Sequence, residues 1–417
     1  MIRDLSLRVS LIHERFTELG GSEKVVDSLA AIWPHAHLFS PLIDHSVPSE
    51  ALRTLGGQES SLLQLLYGGN GRYAHLLPLL PAAMARAHLP TSDVVVISHH
   101  AFANRVRVAP GVPVVSYVHT PARWLWDAKM RAMDGSSAPH RALLTAFAAT
   151  QRRRDRQAAQ RPDVLVANSS AVARRIERWW GRNSIVVHPP VAVDRFRLDS
   201  HVTREPFFLL AGRLVPYKRP DIAIRAARKA GVPLVVAGDG RARAKCEELA
   251  GPNVTFLGAV SDEKLEELYR RCRALVFTGV EDFGIVPVEA QACGAPVVGL
   301  DQGGLRDTVL AGRTGVLVPP SEDEARLVDG FATAMAGIRC SDFDPETIRA
   351  HAETFSEQRF QGAMKSIVER AATVDPDQRA ASGRGGNGPA GPRGSVADLR
   401  SYRRSGPTIL SDVADGS

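Results

Sequence analysis

The sequence lacks the apolar run of about 20 residues that would span a bilayer. Its four cysteines, which show neither a CxxC pair nor a metal-ligand spacing, are Cys246, Cys272, Cys293 and Cys340. Each lies in an apolar or helical context, so we expect buried thiols and a reducing compartment. The N-terminal stretch MIRDLSLRVSLIHE carries charges where a signal peptide needs an uninterrupted apolar core, which predicts a cytoplasmic protein.

Acidic residues are fewer than basic ones, and the formal net charge of +7 favours an anionic partner. Much of the excess lies in two basic clusters on predicted helices, QRRRDRQAAQR at 151–161 and ARRIERWWGR at 173–182. Such clusters are usually solvated helix faces; the alternative is a patch that rests on an anionic membrane surface, for which Trp179 and Trp180 beside Arg178 and Arg182 are suitable residues. No RNP, zinc-finger or helix-turn-helix pattern accompanies the charge, so we do not expect nucleic acid as a partner.

The 417 residues exceed a typical single core, which predicts two domains of about 150 to 200 residues each. In both halves, short Val- and Ile-rich runs alternate with helical patterns, as in a doubly wound parallel sheet. The first half contains predicted strands at 8–14, 93–99, 112–119 and 163–170 and a predicted helix at 25–33. The second half contains predicted strands at 207–213, 233–240, 253–258, 274–279, 295–301 and 314–320, with helices within 219–231, 261–273 and 283–294.

Composition also predicts the domain boundaries. The stretch HPPVAVDRFRLDSHVTREP at 188–206 has little periodicity and is typical of a hinge. We therefore expect a first domain at 1–190, a linker at 191–206 and a second domain at 207–351. The residues at 375–417 are rich in Gly, Pro, Ser and Arg, cannot bury a core, and are predicted to form a disordered tail.

Two predicted strand-to-helix turns could bind anions. In ELGGSEK, Gly20 and Gly21 let the backbone approach a ligand at the start of a helix, although the turn is not GxGxxG and could be only a tight connection. In AGRLVPYKRPD, Arg213 and Lys218 lie just beyond a strand, where two cations could clamp a diphosphate leaving group. The alternative for this pair is ordinary surface charge.

The segment EDFGIVPVEAQACG places Glu281 on a turn and Glu289 on the helix that follows. That geometry suits two acceptors for the hydroxyls of one extended ligand, and it suits a metal less well because no third carboxylate or histidine is local. Phe283, Gly284 and Ile285 would present backbone N–H groups at the start of the helix. A second acidic group, DFD at 342–344, is interpreted as a helix N-cap.

These motifs together resemble family 4 of the glycosyltransferases. The similarity covers about residues 8 to 370, and EDFGIVPVE matches the E-x7-E motif of that family. It implies the GT-B fold, an α/β architecture of two Rossmann-like, doubly wound domains facing a cleft, with a C-terminal helix at about 352–372 returning to the first domain. The segment YVHTPARWLWD is similar to members that transfer mannose or a related sugar from a GDP-linked donor.

The resemblance also implies roles for single residues. Glu289 would accept from the ribose hydroxyls and Glu281 from hydroxyls of the donor sugar, while Arg213 and Lys218 would neutralise the leaving diphosphate. The backbone at Phe283, Gly284 and Ile285 would contact phosphate or sugar oxygens.

Three further positions follow from the same resemblance. Gly20 and Gly21 would approach the donor from the opposite wall, and Val260 would contact the base through its backbone. His119, at a predicted strand end, would face the sugar near the reacting carbon, although a histidine in such a place is often structural.

The implied reaction is retaining transfer of a hexose, with a nucleotide-sugar donor, a glycan or lipid-linked acceptor, and neither cofactor nor metal. The sequence shows no nucleophile–base pair, which agrees with catalysis by positioning and leaving-group stabilisation. Three alternatives stay open: a UDP-sugar-dependent transferase, a non-catalytic nucleotide-sugar-binding scaffold, and another enzyme on the same fold, such as an epimerase or a phosphorylase.

Overall fold

The first domain is built on a parallel sheet of seven strands. The computed structural model describes residues 7–68, 73–128 and 138–373. The strands are β1 Val9–His13, β2 His37–Phe39, β3 Gly57–Glu59, β4 Val94–His99, β5 Val114–Val118, β6 Val164–Ala167 and β7 Ile185–Val186, in the order β3-β2-β1-β4-β5-β6-β7. Helices cover both faces, so β1, β4 and β5 are buried along their whole length.

The second domain repeats this design with six parallel strands. They are β8 Phe208–Ala211, β9 Leu234–Ala237, β10 Val254–Gly258, β11 Ala274–Phe277, β12 Val297–Leu300 and β13 Gly315–Val318, in the order β10-β9-β8-β11-β12-β13. In each sheet the strand order reverses beside the first strand of the domain. Such switch points leave a crevice at the carboxyl ends of the strands, where ligands of open α/β sheets bind.

The helices of the described residues connect these strands. They are α1 Gly21–Ile32, α2 Glu50–Thr54, α3 Leu80–Ala85, α4 Arg123–Trp126, α5 Ala138–Ala158, α6 Ser170–Trp180, α7 Pro220–Ala230, α8 Arg243–Leu249, α9 Asp262–Arg271, α10 Ile285–Ala292, α11 Leu305–Thr308, α12 Glu324–Gly337, α13 Pro345–Glu353 and α14 Glu357–Thr373. None of them is long and apolar enough to cross a membrane.

The last helix, α14, returns to the first domain. Its apolar residues Phe360, Met364 and Val368 are buried in the core that also contains Val26 and Leu29 of α1. The two connections between the domains run side by side, because the backbone N–H of Val191 donates to the carbonyl of Phe355 at 3.0 Å. The first domain therefore takes part of its core from the end of the described chain.

The predicted architecture of two doubly wound domains is confirmed, and every predicted strand is present. Three short strands, β2, β3 and β7, were missed because two or three residues give no periodic pattern. Asp344 is the predicted helix N-cap and accepts from the backbone N–H of Thr347 at 2.9 Å. The predicted tail at 375–417 lies outside the described residues.

The prediction of four buried thiols is wrong at one position. Cys246, Cys272 and Cys293 are buried, but Cys340 is exposed. Its apolar neighbours in the sequence belong to the end of α12, while Cys340 itself begins a single 3₁₀ turn on the connection to α13.

Candidate active site

Several of the predicted ligand residues lie beside the two switch points. Gly20 and Gly21 follow β1, and the switch point of the first sheet lies between β1 and β4. In the second sheet the loops after β8 and β11, which carry Lys218 and Glu281, flank the switch point. Folding therefore brings the separate sequence motifs to one edge of each sheet.

Lys218 and Glu281 contact each other directly. The Lys218 ammonium lies 2.7 Å from a carboxylate oxygen of Glu281, and both side chains are partly exposed. The hydroxyl of Thr278 donates to the carbonyl of Arg219 at 2.7 Å, and this bond fixes the turn that carries Lys218. A Cβ on Gly279 would lie 2.9 Å from the Cα of Lys218, so only glycine lets the two loops come this close.

Arg213 does not join this pair. Its side chain is exposed, and within the described residues it makes no hydrogen bond or ion pair. A cation at this place is free to bind an anion that enters the cleft, whereas Lys218 would first have to separate from Glu281.

A glycine pair holds the Glu281 turn. The backbone N–H of Gly304 donates to the carbonyl of Glu281 at 2.9 Å. A Cβ on Gly304 would lie 2.3 Å from the Cα of Phe283, and Gly303 has a φ of +72°. Gly284, with a φ of +96°, then begins α10 at Ile285. The turn is thus fixed by backbone packing that larger residues would prevent.

The two domains meet across the cleft at these turns. A Cβ on Gly21 would lie 3.2 Å from the Cδ1 atom of Ile285, so the glycine turn of the first domain faces the start of α10. Helices α1 and α10 both begin here, and free N–H groups at helix N-termini attract anions.

Glu289 lies one turn further along α10 and is partly buried. The hydroxyl of Tyr269 donates to it at 3.4 Å. Burial raises the pKa of Glu289, and the positive charge of Lys24 on α1 partly offsets that effect. Val260 packs against the apolar cluster that contains Tyr269, which places it on the same side of the second domain.

His119 lies directly after β5 and retains 8% of its surface. Its Nε2 atom lies 2.8 Å from the hydroxyl of Ser98, and its ring centroid lies 6.0 Å from that of His100. Burial lowers the pKa of His119 well below its ordinary value, so the ring is neutral at neutral pH.

Sequence reasoning missed a set of contacts between the domains. Asp282, next to Glu281, bonds to Arg175 of α6 and lies 3.7 Å from Arg123. Asp307 of the second domain accepts from the backbone N–H of Ser170 at 2.6 Å. In the sequence, these contacts between the domains were indicated only by the position of Arg123 within YVHTPARW and of Asp282 within EDFG, two motifs that belong to the predicted site.

No group of three or more His, Cys, Asp and Glu side chains forms a metal-ligand cluster in the described parts of the chain.

Two family models match adjacent parts of the chain. Glycosyltransferase Family 4 matches residues 19–195, and Glycosyl transferases group 1 matches residues 195–340. Among curated proteins, D-inositol 3-phosphate glycosyltransferase of Mycobacterium tuberculosis is 32% identical over 314 residues, which cover 68% of this chain and 63% of that protein. The chain thus spans less than two thirds of the length of that relative.

Solved structures share the fold. Anabaena Alr3699/HepE in complex with UDP and glucose aligns with a TM-score of 0.60 and 20% identity over 87% of this chain and 100% of that one. Sucrose-phosphate synthase from Thermosynechococcus elongatus aligns with a TM-score of 0.64 and 18% identity over 87% of this chain and 98% of that one.

Proposed function

This chain belongs to family 4 of the glycosyltransferases and has the GT-B fold, and from that premise we propose that it is a retaining hexosyltransferase. It would move the sugar from a nucleotide-diphosphate donor to a glycan or lipid-linked acceptor in the synthesis of a cell-surface polysaccharide or glycolipid. The observation that supports this most directly is the contact between Lys218 and Glu281 at 2.7 Å, on the cleft wall opposite Gly21.

In the proposed reaction, the bond between the anomeric carbon and the diphosphate breaks while the acceptor hydroxyl attacks from the same face of the sugar. The electron pair of the broken bond goes to the diphosphate, and the acceptor proton leaves to the diphosphate or to solvent. Lys218 and Arg213 stabilise the charge that develops on the leaving group. When Lys218 turns to the phosphate, Glu281 is released to accept from a sugar hydroxyl.

The nucleotide is proposed to lie along α10. Glu289 would accept from the ribose hydroxyls, and the backbone of Val260 would contact the base. The N–H groups at Phe283, Gly284 and Ile285 would bind the phosphate or sugar oxygens, with Gly20 and Gly21 on the other side. His119 would contact the sugar near the reacting carbon.

For the donor we propose GDP-mannose, because the sequence YVHTPARWLWD is similar to enzymes that use it. A UDP-sugar is the second candidate, because Anabaena Alr3699/HepE, which has the same fold, was solved with UDP and glucose. Calorimetry with GDP-mannose, UDP-glucose and UDP-N-acetylglucosamine in EDTA separates the two. Tight binding of GDP-mannose alone supports the first, and preference for a UDP-sugar supports the second.

Turnover tests whether the protein is an enzyme. We expect release of free nucleoside diphosphate that depends on an acceptor and is unchanged by EDTA, since the proposed mechanism uses no metal. The acceptors to offer include lipid-linked glycans and inositol 3-phosphate, the latter because it appears in the name of the mycobacterial relative. Donor binding without any transfer would favour a non-catalytic scaffold, and a rate abolished by EDTA would contradict the metal-free mechanism.

We also propose that the first domain rests on the anionic cytoplasmic face of a membrane. Arg153 and Arg154 of α5 are exposed, and Leu143 on the same helix is 71% exposed. Leu62 and Leu65, on a short 3₁₀ turn of this domain, are 85% and 83% exposed. Exposed leucines and exposed arginines are the residue types that bind the apolar and the anionic parts of a membrane surface.

Sedimentation with vesicles of anionic and of neutral lipid tests the membrane proposal. We expect the protein to bind the anionic vesicles and Arg153→Ser/Arg154→Ser to bind less. Arg326→Ser is the matched control, because it removes an exposed arginine from the second domain. Equal sedimentation of all three proteins would contradict the proposal. Arg152 is left in place because it also donates to the carbonyl of Leu125 at 2.7 Å.

A further inference from the structure

Four buried polar side chains form a continuous series of hydrogen bonds beneath the glycine turn. Glu23 of α1 lies 3.3 Å from the Nε2 atom of His13 at the end of β1. The Nδ1 atom of His13 lies 3.0 Å from the hydroxyl of Ser98, its register partner on β4. Ser98 in turn lies 2.8 Å from the Nε2 atom of His119. All four residues are buried, so water does not compete for these bonds.

The carboxylate of Glu23 sets the direction of the first bond. It already accepts from the backbone N–H of Gly20 at 2.9 Å and from the hydroxyl of Ser22 at 2.9 Å. Burial opposes the ionisation of Glu23, but its hydrogen bonds, with that from His13 foremost, lower its pKa to about 2. An ionised carboxylate can only accept, so the Nε2 atom of His13 must carry a proton.

The second bond follows from the state of His13. Charge-assisted bonds between an imidazolium and a carboxylate are about 2.7 to 2.9 Å long, and this contact is longer at 3.3 Å, so we take the ring of His13 as neutral. A neutral His13 that is protonated at Nε2 has a lone pair at Nδ1. Ser98 therefore donates its single proton to His13.

The third bond then has only one possible direction. Because the proton of Ser98 is already used, its oxygen accepts from the Nε2–H group of His119. His119 is neutral, as burial dictates. Its Nδ1 atom is consequently an unprotonated acceptor, and in the described residues no side chain or backbone group donates to it.

We infer that Glu23, His13 and Ser98 are positioning residues that hold His119 in the Nε2–H tautomer, with Nδ1 as the acceptor for a hydroxyl of the donor sugar. The identity of the ligand rests on the proposed function, but the tautomer does not. The same carboxylate of Glu23 also binds the N–H of Gly20, so one buried charge organises both the glycine turn and the histidine.

Glu23→Gln is expected to exchange donor and acceptor in each hydrogen bond of the series. Gly20 and Ser22 would keep the amide oxygen of the new side chain as their acceptor, which leaves its NH₂ group facing His13. His13 would then accept at Nε2 and donate from Nδ1, and Ser98 would donate to His119. The proton of His119 would move to Nδ1, and the sugar hydroxyl would lose its acceptor.

Nitrogen NMR of the histidine-labelled protein, without donor, tests the tautomer. The His119 signals are assigned by their loss in His119→Gln. We expect a protonated Nε2 and an unprotonated Nδ1 in the parent protein, and the opposite in Glu23→Gln. In Ser98→Ala, which also serves if Glu23→Gln does not fold, we expect the fixed preference to be lost. Ser10→Ala is the matched control, since Ser10 forms a buried bond with Ser92 outside the series.

A protonated Nδ1 on His119 in the parent protein, or a tautomer unmoved by both Glu23→Gln and Ser98→Ala, would overturn the inference. Kinetics with monodeoxy donors supply the second readout. We expect Glu23→Gln to lower kcat/KM at least tenfold for the full sugar, and much less for the one deoxy donor that lacks the hydroxyl facing His119. An equal loss for every donor would show a merely structural role. The tautomer is measured without donor, so failure of the proposed function would not be mistaken for failure of this inference.

Discussion

At the scale of single residues, the most informative contact is that between Lys218 and Glu281. The sequence placed Lys218 with Arg213 as a clamp for phosphate, but in the structure Lys218 pairs with a carboxylate and Arg213 is exposed. Both side chains of the pair are partly exposed, so the ion pair is weak, and a ligand that competes for Lys218 loses little free energy by breaking it. A donor diphosphate can therefore take over the ammonium.

Lys218→Ala tests this role. We expect kcat to fall by about 10²- to 10³-fold, the range for loss of one group that stabilises developing negative charge. Donor affinity should change far less, because the charge grows during the reaction. Lys229→Ala, on the exposed face of α7, is the control. Steady-state kinetics separate an effect on kcat from an effect on donor affinity. A normal kcat in Lys218→Ala would show that Lys218 does not stabilise the leaving group.

The place of several candidate residues in the fold could be predicted because they stand at strand ends, where a short pattern marks both the strand and the turn. Glu281 after β11 and His119 after β5 are examples. The partners of these residues could not be predicted. Asp282 with Arg175, or Ser98 with His119, are brought together by the order of strands in a sheet, and a single sequence does not show that order.

At the scale of elements, the basic cluster on α5 contains a buried acidic residue that packs against α6. Asp155 lies within the basic stretch QRRRDRQ, yet it is buried and accepts from the indole N–H groups of Trp126 and Trp180 at 2.8 Å and 2.7 Å. Burial raises the pKa of Asp155 to about 6, although the two indole bonds partly offset it. The sequence predicted a basic cluster on a helix, and the helical pattern alone did not reveal that Asp155 turns inward.

Asp155→Asn tests the consequence for stability. The native carboxyl keeps its proton at pH values where the unfolded chain has lost it, so its ionisation destabilises the fold as the pH rises from about 4 through 6. Between pH 4 and pH 8, we expect the stability of Asp155→Asn relative to the parent to rise by up to about 3 kcal/mol. Denaturant unfolding across this range measures it, with exposed Asp329→Asn as control. A difference that does not vary with pH would contradict the raised pKa.

At the scale of the whole molecule, polar contacts at two acidic residues join the two domains across the cleft. Asp282 accepts a hydrogen bond from Arg175 and lies near Arg123. Asp307 accepts from the backbone N–H of Ser170 at the start of α6. Both acidic residues belong to the second domain, and their partners belong to the first. The side chains of Arg175 and Asp282 are partly exposed, so their contact favours this arrangement of the two domains by only about 1 kcal/mol.

Arg175→Ala should therefore open the cleft without unfolding either domain. We expect a larger radius of gyration by small-angle X-ray scattering in the absence of donor, partly restored when the donor is added. The thermal unfolding midpoint should stay near that of the parent protein. Arg174→Ala, its exposed neighbour on α6, is the control. An unchanged radius for Arg175→Ala would show that this contact does not control closure.

Donor calorimetry on Glu289→Ala tests whether this cleft binds a nucleotide-sugar through Glu289. A charged hydrogen bond to ligand contributes about 1.5 to 3 kcal/mol, so we predict that the donor Kd rises about 10- to 100-fold relative to the parent protein. Exposed Glu248→Ala should bind like the parent. If Glu289→Ala binds donor as tightly as the parent does, the cleft assignment is wrong.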